Sequence, residues 1–179
     1  MTPEARFSVV FEQHHRDVER YLRRRAPDAL VADLIAEVFL VAWRRWDAVP
    51  QGHPLPWLYA TARNVLANEV RGRLRGRRLT ERVAAHTPPA VGNDHAEEIS
   101  ARLAVAAAFD RLSAPDQEVL RLVAWEHLGH ADAAKVLGCG TAAFAMRLAR
   151  ARRRLRAALG APPDVPLDHP PATTTGVRR

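Results

Sequence analysis

The stretch Leu137–Leu155 reads LGCGTAAFAMRLARARRRL and joins a glycine turn to an arginine-rich segment. Gly138 suits the left-handed residue that ends many helices, so a short helix is predicted before it, over residues 131–137. A longer helix is predicted after the turn, over residues 141–159. Two helices joined by such a turn form the helix–turn–helix pattern, whose second helix lies in the major groove of DNA.

Apolar side chains recur along one stripe of the last helix, which is expected to pack on the preceding helices. The stripe comprises Phe144, Leu148, Ala151 and Leu155. The opposite face comprises Ala142, Met146, Ala149, Arg150 and Arg153, flanked by Arg147 and Arg154. This face is small near its start and strongly basic further on. A solvated cationic helix end that only complements the helix dipole is the alternative explanation of the arginine run.

The chain of 179 residues has a formal net charge of +7 and a pI near 11.0, which favours a polyanionic partner, either nucleic acid or an anionic membrane surface. An arginine-rich composition set by genomic base composition is the alternative, and Lys135 is the only lysine. Residues 1–78 carry 14 basic and 9 acidic side chains, and residues 101–160 carry 10 and 5. Because the connector between these blocks is net acidic, two separate contact surfaces are expected.

Several classes of protein are disfavoured by what the sequence lacks. Cys139 is the sole cysteine, so no intrachain disulfide forms. The N-terminus has no apolar signal-peptide core, and no apolar run approaches the roughly 20 residues that span a bilayer. A soluble cytoplasmic protein without membrane insertion is therefore expected. His127, His130 and Cys139 lack the spacing of a closed zinc site. No metal, no cofactor and no enzymatic activity are expected, since no catalytic motif is present.

Helical spacing recurs along the chain and period-two alternation does not, which predicts an all-α fold. Further helices are predicted over about residues 7–21, 30–46, 57–71, 99–112 and 113–129. One face of the first helix carries Phe7, Phe11, His14, Val18 and Tyr21. The second helix is apolar enough to pack on both sides. Ser113 is predicted to cap the fifth helix.

Proline and glycine divide these helices into two small domains joined by a flexible linker. Pro54 and Pro56 end the loop 47–56 and suit the first turn of the third helix, whose end Gly72 and Gly76 weaken. The predicted ranges are a first domain over 1–78, the linker over 79–100, a helix–turn–helix domain over 101–160 and a disordered tail over 161–179.

Two segments together resemble bacterial sigma factors of the extracytoplasmic-function type. DLIAEVFLVAWRRW (33–46), followed by PWLYATARNVLANEVRGRLR (56–75), resembles sigma region 2, which grips the polymerase clamp and then opens and reads the −10 promoter element. FDRLSAPDQEVLRLVAWEHLGHADAAKVLGCGTAAFAMRLARARRRL (109–155) resembles sigma region 4, which reads the −35 element as duplex. The resemblance covers roughly 7–80 and 102–159, in the family's order.

The resemblance implies roles for residues of the first segment. Polymerase contact falls on Asp33, Glu37, Phe39 and Trp43, where carboxylates suit an arginine-bearing coiled coil. A place in the core explains the two aromatic residues equally well. Ala32 departs from the family's acidic residue, which predicts weaker clamp binding. Contact with the −10 element falls on Arg63, Asn64 and Arg71, because an unpaired base needs edge hydrogen bonds and a phosphate-following arginine.

Further positions around the −10 helix complete this interpretation. The loop 47–56 is expected to form the wall of a base pocket. Trp57 is expected to anchor the core rather than to stack on a base. Non-specific attraction to the phosphate backbone is expected from Arg71, Arg73, Arg75, Arg77 and Arg78.

In the second segment the resemblance places Arg147 and Arg150 at DNA-contacting positions, and Arg153 is expected to help position the helix. The start of the helix departs from the family's polar pattern at Ala142, Ala143, Ala145 and Met146. A good bidentate base contact gives about 1–3 kcal/mol of discrimination. Reading of the −35 element is therefore expected to discriminate weakly, through few arginines, thymine methyl contacts or DNA shape.

The resemblance implies a sigma factor that binds the clamp and flap of core RNA polymerase together with duplex and single-stranded promoter DNA. An anti-sigma protein is a further implied partner. A stand-alone helix–turn–helix regulator is the main alternative, since it would bind duplex DNA without polymerase. A recombinase-type enzyme and a protein-binding helical adaptor are the others; the enzyme would need a catalytic domain that the sequence does not indicate.

Overall fold

A computed structural model describes residues 2–77 and 96–160, with side chains over 2–73 and 102–160. Its helices are α1 (Pro3–Arg23), α2 (Asp28–Arg44), α3 (Leu55–Arg77), α4 (Ala96–Asp110), α5 (Ala114–Ala124), α6 (His130–Leu137) and α7 (Thr141–Ala158), with a 3-10 helix at Trp46–Ala48. No strand occurs in this part of the chain, which confirms the predicted all-α fold. None of the helices found there is both long and apolar enough to cross a bilayer.

Helix α2 lies between α1 and α3, as its apolar sequence predicts. Its buried side chains are Val31, Leu34, Ile35, Val38, Phe39 and Ala42. Full burial of each larger aliphatic or aromatic side chain contributes about 1.5–3 kcal/mol. These contacts fix α2 against both neighbours and leave its remaining face in solvent.

The predicted inner face of α1 is only partly buried. Val18 and Tyr21 are completely buried, but Phe11 is 38% exposed. The reason is that Phe11 lies at the edge of the α1–α2 contact, where its ring meets Phe39 at 4.7 Å between centroids. Thr2 begins the helix by accepting a hydrogen bond from the backbone N–H of Ala5 at 3.3 Å.

Helix α3 begins as the two prolines predict and extends further than its glycines suggest. The Leu58 N–H donates to the carbonyl of Pro54 at 2.9 Å, and Pro56 lies in the first turn. The helix continues through Gly72 to Arg77. A single helical glycine costs only about 1 kcal/mol relative to alanine, and the Arg73–Glu69 ion pair at 2.7 Å supports this turn.

The predicted linker is contradicted at its C-terminal end. Helix α4 begins at Ala96, three residues before the predicted start at Ile99, and ends at Asp110. Alanine and glutamate, which occupy 96–98, have high helix propensity. The rest of the predicted linker, 79–95, and the predicted tail, 161–179, lie outside the described residues.

Helix α5 starts where Ser113 predicts and ends earlier than expected. The Ser113 hydroxyl accepts from the Asp116 N–H at 3.4 Å and donates to the Asp116 carboxylate at 2.7 Å. The helix ends at Ala124 rather than near Gly129. The chain turns there because Leu128, which is buried, donates its N–H to the carbonyl of Leu122 at 3.0 Å.

The N-terminal helices α1–α3 and the C-terminal helices α4–α7 are in contact. Helix α3 packs against α6, and the buried apolar side chains of both groups form one continuous cluster. Within the C-terminal group, α7 packs on α5 and α6. The protein is therefore closed in this structure, with the two predicted reading elements on a single body.

Candidate nucleic-acid and polymerase interfaces

The glycine turn between α6 and α7 has the predicted geometry. Gly138 ends α6 with φ of 63°, in the left-handed region where residues other than glycine are strained. The following N–H, of Cys139, donates to the carbonyl of Ala134 at 3.0 Å. The turn therefore satisfies the end of α6 and sets the direction in which α7 leaves.

The apolar stripe of α7 holds the helix on the domain as predicted. Phe144, Leu148 and Ala151 are buried, and Leu155 packs at the edge of the same core. The ring of His130, at the start of α6, lies 5.7 Å from that of Phe144. Packing of this stripe leaves the opposite face of α7 free to meet a partner.

The outward face of α7 has a small start and a basic remainder. Arg147, Arg150 and Arg153 are exposed, without an ion-pair partner among the described residues. Met146 is 62% exposed and Ala142 is exposed, whereas Ala143 and Ala145 are half-buried. Two of the four unexpected residues therefore point partly into the domain.

Arg154 differs from its neighbours on α7, because it forms an ion pair within the protein. Its guanidinium lies 2.5 Å from a carboxylate oxygen of Asp116 on α5. Burial acts to raise the pKa of Asp116, but hydrogen bonds from Ser113 and Arg154 outweigh it and lower that pKa below its ordinary value. Arg154 thus fastens α7 to α5.

On α2 the structure separates the four residues expected to contact polymerase. Asp33 and Glu37 are exposed, and Trp43 is 44% exposed. Phe39 is buried and packs edge-on against Phe7 and Phe11, so it supports the surface from within. Leu40, 39% exposed, lies on the same strip and was not singled out by the sequence.

The three α3 residues expected to read the −10 element all lie in solvent. Arg63, Asn64 and Arg71 are exposed, and Asn64 and Arg71 share one face because they are seven residues apart. A side-chain amide, that of Asn68 on the same face, accepts from Arg71 at 2.5 Å. Trp57 is half-buried and packed on the core, as expected of an anchor.

The loop before α3 contacts the helix–turn–helix. The His53 imidazole in this loop lies 2.8 Å from an Asp132 oxygen on α6, and Lys135 lies 3.0 Å from the other. Hydrogen bonds from His53 and then Lys135 lower the pKa of Asp132 below its ordinary value. The expected wall of the base pocket is therefore attached to the C-terminal helices.

The remaining residues weighed in the sequence have ordinary surroundings. His127 is exposed with φ of 52°, and Cys139 packs on the core as a half-buried side chain. Among the described residues no group of three or more His, Cys, Asp or Glu side chains is arranged to hold a metal ion. Side chains of the predicted backbone contacts Arg75, Arg77 and Arg78 lie outside the described part.

A buried ion-pair cluster between α1 and the α5 region was missed by the sequence reasoning. Arg25 donates from Nε to Glu118 and from Nη1 to Glu126, each at 2.7 Å. Arg24 pairs with Glu126 at 3.0 Å, and the Tyr21 hydroxyl donates to Glu118 at 3.0 Å. We call these five residues the Arg25 cluster.

Both halves of the chain match known families. The family "Sigma-70 region 2" matches residues 10–76, and the family "Sigma-70, region 4" matches residues 102–155. The ECF RNA polymerase sigma factor SigC of Mycobacterium tuberculosis is 33% identical over 146 residues, which are 79% of this chain and 77% of that protein. EcfG of Rhodopseudomonas palustris, also an ECF RNA polymerase sigma factor, is 31% identical over 71% of this chain and 70% of its own length.

The fold also resembles a solved structure of the sigma factor RpoE in complex with the anti-sigma factor NepR, from Bartonella quintana. The TM-score is 0.63 at 23% identity, over 86% of this chain and 96% of that one. Fold, family matches and relatives agree with each other. The chain therefore belongs to the extracytoplasmic-function family of RNA polymerase sigma factors.

Proposed function

We propose that this sigma factor binds core polymerase through the exposed strip of α2 formed by Asp33, Glu37, Leu40 and Trp43. Two carboxylates beside two apolar side chains suit a basic, amphipathic partner such as an arginine-bearing coiled coil on the clamp. The strip lies on the solvent-exposed face of α2, where its carboxylates and large apolar side chains stand beside small alanines, and the rest of the helix packs on α1 and α3. Its exposure is the observation that carries this assignment.

The −10 element is assigned to the exposed face of α3. Asn64 supplies both a donor and an acceptor for the edge of an unpaired base, and Arg63 and Arg71 supply charge for phosphates on either side. Their placement along one helix, with the loop 47–56 beside it, supports a groove that follows a single strand. This is a binding role that requires no catalytic residue.

The −35 element is assigned to α7, with Arg147, Arg150 and Arg153 as the contacting residues. Their long side chains supply charge to duplex phosphates, while Ala142 and Met146 meet the groove without hydrogen-bonding groups. Ala142 and Met146 allow apolar contact with thymine methyl groups. Contact with the polymerase flap is assigned to the same C-terminal helices.

An anti-sigma protein is proposed as a partner that holds the factor inactive in the cytoplasm. Support comes from the resemblance in fold to RpoE, whose solved structure contains the anti-sigma factor NepR. The exposed apolar residues of α1 and α2, among them Val9, Phe11 and Leu40, offer such a partner a surface.

Co-elution with polymerase tests the proposed function against a stand-alone regulator. The factor is mixed with sigma-free core polymerase and passed through a size-exclusion column, and its binding to duplex promoter DNA is measured separately without polymerase. We expect co-elution with core and weak binding to DNA alone. Tight, sequence-specific binding of DNA without any association with core would support the regulator instead.

A further inference from the structure

The apolar surface of α4 is left uncovered by the described part of the chain. Residues 102–107 are all exposed, and five of their six side chains are apolar. Leu103 is 65% exposed, more than any other large apolar side chain in the part of the chain that the structure describes. An apolar helix face on a folded domain normally packs against a neighbouring element. The composition of α4 therefore indicates an occupant beyond the described residues.

A groove runs between α4 and the end of α7. Its volume is about 590 Å³. It is lined by Ala104, Ala107, Asp110 and Arg111 on the α4 side and by Ala158 and Leu159 on the α7 side. Leu103 lies beside it, since side chains four positions apart, here Leu103 and Ala107, share one helix face. The groove is therefore open and mostly apolar.

The chain leaves α7 at this groove. Leu159 lines the groove, and Gly160 follows it with φ of 72°. A left-handed glycine after a helix turns the chain away from the helix axis. Arg111 donates from Nη2 to the carbonyl of Ala158 at 2.6 Å, so the end of α7 lies against the end of α4. The residues that follow Gly160 therefore begin beside the uncovered surface of α4.

The segment that follows, APPDVPLDHPP (161–171), has the composition of a groove-binding peptide. Proline-rich segments favour the extended polyproline II conformation, so they lose little conformational entropy when they bind an apolar groove. Val165 and Leu167 supply apolar side chains. The seven residues 161–167 span about 22 Å in this conformation, at about 3.1 Å each. The 15 residues of α4 are about as long, at about 1.5 Å each.

Charge at the groove also suits this segment. Asp164 and Asp168 give it a negative charge, and it contains no lysine or arginine. Arg152 on α7 is exposed and lies on the same face as Leu159, which is seven residues further along. The segment is therefore attracted to the α7 side of the groove. The other segment outside the described residues, 78–95, carries two arginines and two acidic side chains, so these charges cancel.

A second copy of the chain is a poorer occupant. One face of α4 measures about 22 Å by roughly 10 Å, so two copies would bury about 220 Å² each. A stable interface between separate proteins buries about 800 Å² per partner. A segment of the same chain needs far less area, because its covalent attachment keeps its local concentration high.

We propose that residues 161–168 bind in the groove between α4 and α7 and cover Leu103. The segment then acts as an intramolecular cover that shields an apolar helix and holds the ends of α4 and α7 together. This role goes beyond the binding of polymerase and promoter DNA and does not depend on the assignments made for them.

Hydrogen–deuterium exchange of the full chain tests the proposal. Val165→Asp/Leu167→Asp puts two charges where the groove needs apolar side chains. Thr173→Asp/Thr174→Asp adds the same charges further along the chain and is the matched control. The backbone amides of α4 should exchange about tenfold faster in the first variant, because local opening of the helix becomes easier, and as in wild type in the control. Circular dichroism verifies the folding of both variants.

Two substitutions in α4 test the groove from its other side. Ala107→Glu places a charged side chain in the groove, and Ala106→Glu, one position away, points about 100° from it. Both alanines are exposed and glutamate favours the helix, so α4 keeps its fold in either variant. The NMR methyl signals of Val165 and Leu167 should move toward those of an unfolded peptide in Ala107→Glu and stay as in wild type in Ala106→Glu.

Three results would overturn the proposal. Exchange of the α4 amides that Val165→Asp/Leu167→Asp leaves unchanged would show that the segment does not cover the helix. Protection of α4 that grows with protein concentration in the same variant would identify a second copy as the occupant. Protection that appears only when core polymerase is added would identify the polymerase instead.

Discussion

Arg154 and Asp116 join α7 to α5 through a 2.5 Å ion pair, whereas the adjacent Arg153 is exposed on the outer face. Two neighbouring arginines of one helix therefore have different tasks. We expect Arg154→Ala to lower the free energy of unfolding by about 1 kcal/mol, a modest value because the arginine is 58% exposed. Urea denaturation followed by circular dichroism measures this.

The Arg153→Ala variant is the matched partner of that experiment. It should change stability by less than about 0.5 kcal/mol and weaken promoter binding uniformly across sequences, with the salt slope reduced by about 1. If Arg153→Ala and Arg154→Ala destabilised the protein equally, Arg154 would have no special role in holding α7 on α5.

The lowered pKa of Asp116 predicts a pH dependence of stability. A carboxyl group whose folded-state pKa is depressed contributes stability that is complete above its ordinary value of 3.8 and is lost as the pH falls below it. The stability difference between wild type and Asp116→Asn should therefore be largest near neutral pH and shrink below pH 3.8. Urea titrations over this range measure the difference. A difference independent of pH would contradict the prediction.

Gly138 and Gly140 in the turn before α7 provide a direct test of backbone geometry. Gly138 has φ of 63°, and an added Cβ would meet no atom within 4 Å at either residue. Gly138→Ala should therefore lower the free energy of unfolding by about 1–2 kcal/mol, because alanine is strained in the left-handed region. Gly140 has φ of −72°, so Gly140→Ala should not cause this loss. Thermal unfolding checks this, and equal melting temperatures would contradict it.

Two equally exposed tryptophans can show whether the α2 strip, and not exposure alone, determines binding to polymerase. Trp43 on α2 is 44% exposed and Trp125 after α5 is 43% exposed. Trp43→Ala should weaken binding to core polymerase about tenfold or more, as expected for an aromatic residue central to an interface, and Trp125→Ala should have a much smaller effect. Fluorescence anisotropy with labelled factor measures both. Similar losses in the two variants would argue against the α2 strip.

The sequence correctly predicted the structural features that depend on neighbouring residues. The stripe Phe144, Leu148 and Ala151, the Ser113 cap and the Gly138 turn all depend on residues within a few positions of each other, and the structure confirms them. The prediction that α5 continues to near Gly129 was wrong, because burial of Leu128 in the core overrides the local helix propensity. Tertiary packing commonly has this effect.

The contacts that join distant segments could not be predicted. Arg25 meets Glu118 across 93 residues, and nothing in the composition of either helix marks the pair. A helical wheel also cannot tell which outward arginine of α7 faces a carboxylate on α5. For the same reason, the periodicity of α2 could not separate Phe39, which is buried, from Trp43, which is exposed.

Selection of promoters from a randomised library measures how strongly the factor discriminates bases at each of the two promoter elements. The factor and sigma-free core polymerase transcribe a template pool with random sequence upstream of the start site, and the productive templates are sequenced. We expect strong base preferences near −10 and weaker ones near −35, because Ala142 and Met146, which form no hydrogen bonds to bases, open the reading face of α7. Productive transcription with no preference near −10, or no transcription above core polymerase alone, would contradict this expectation.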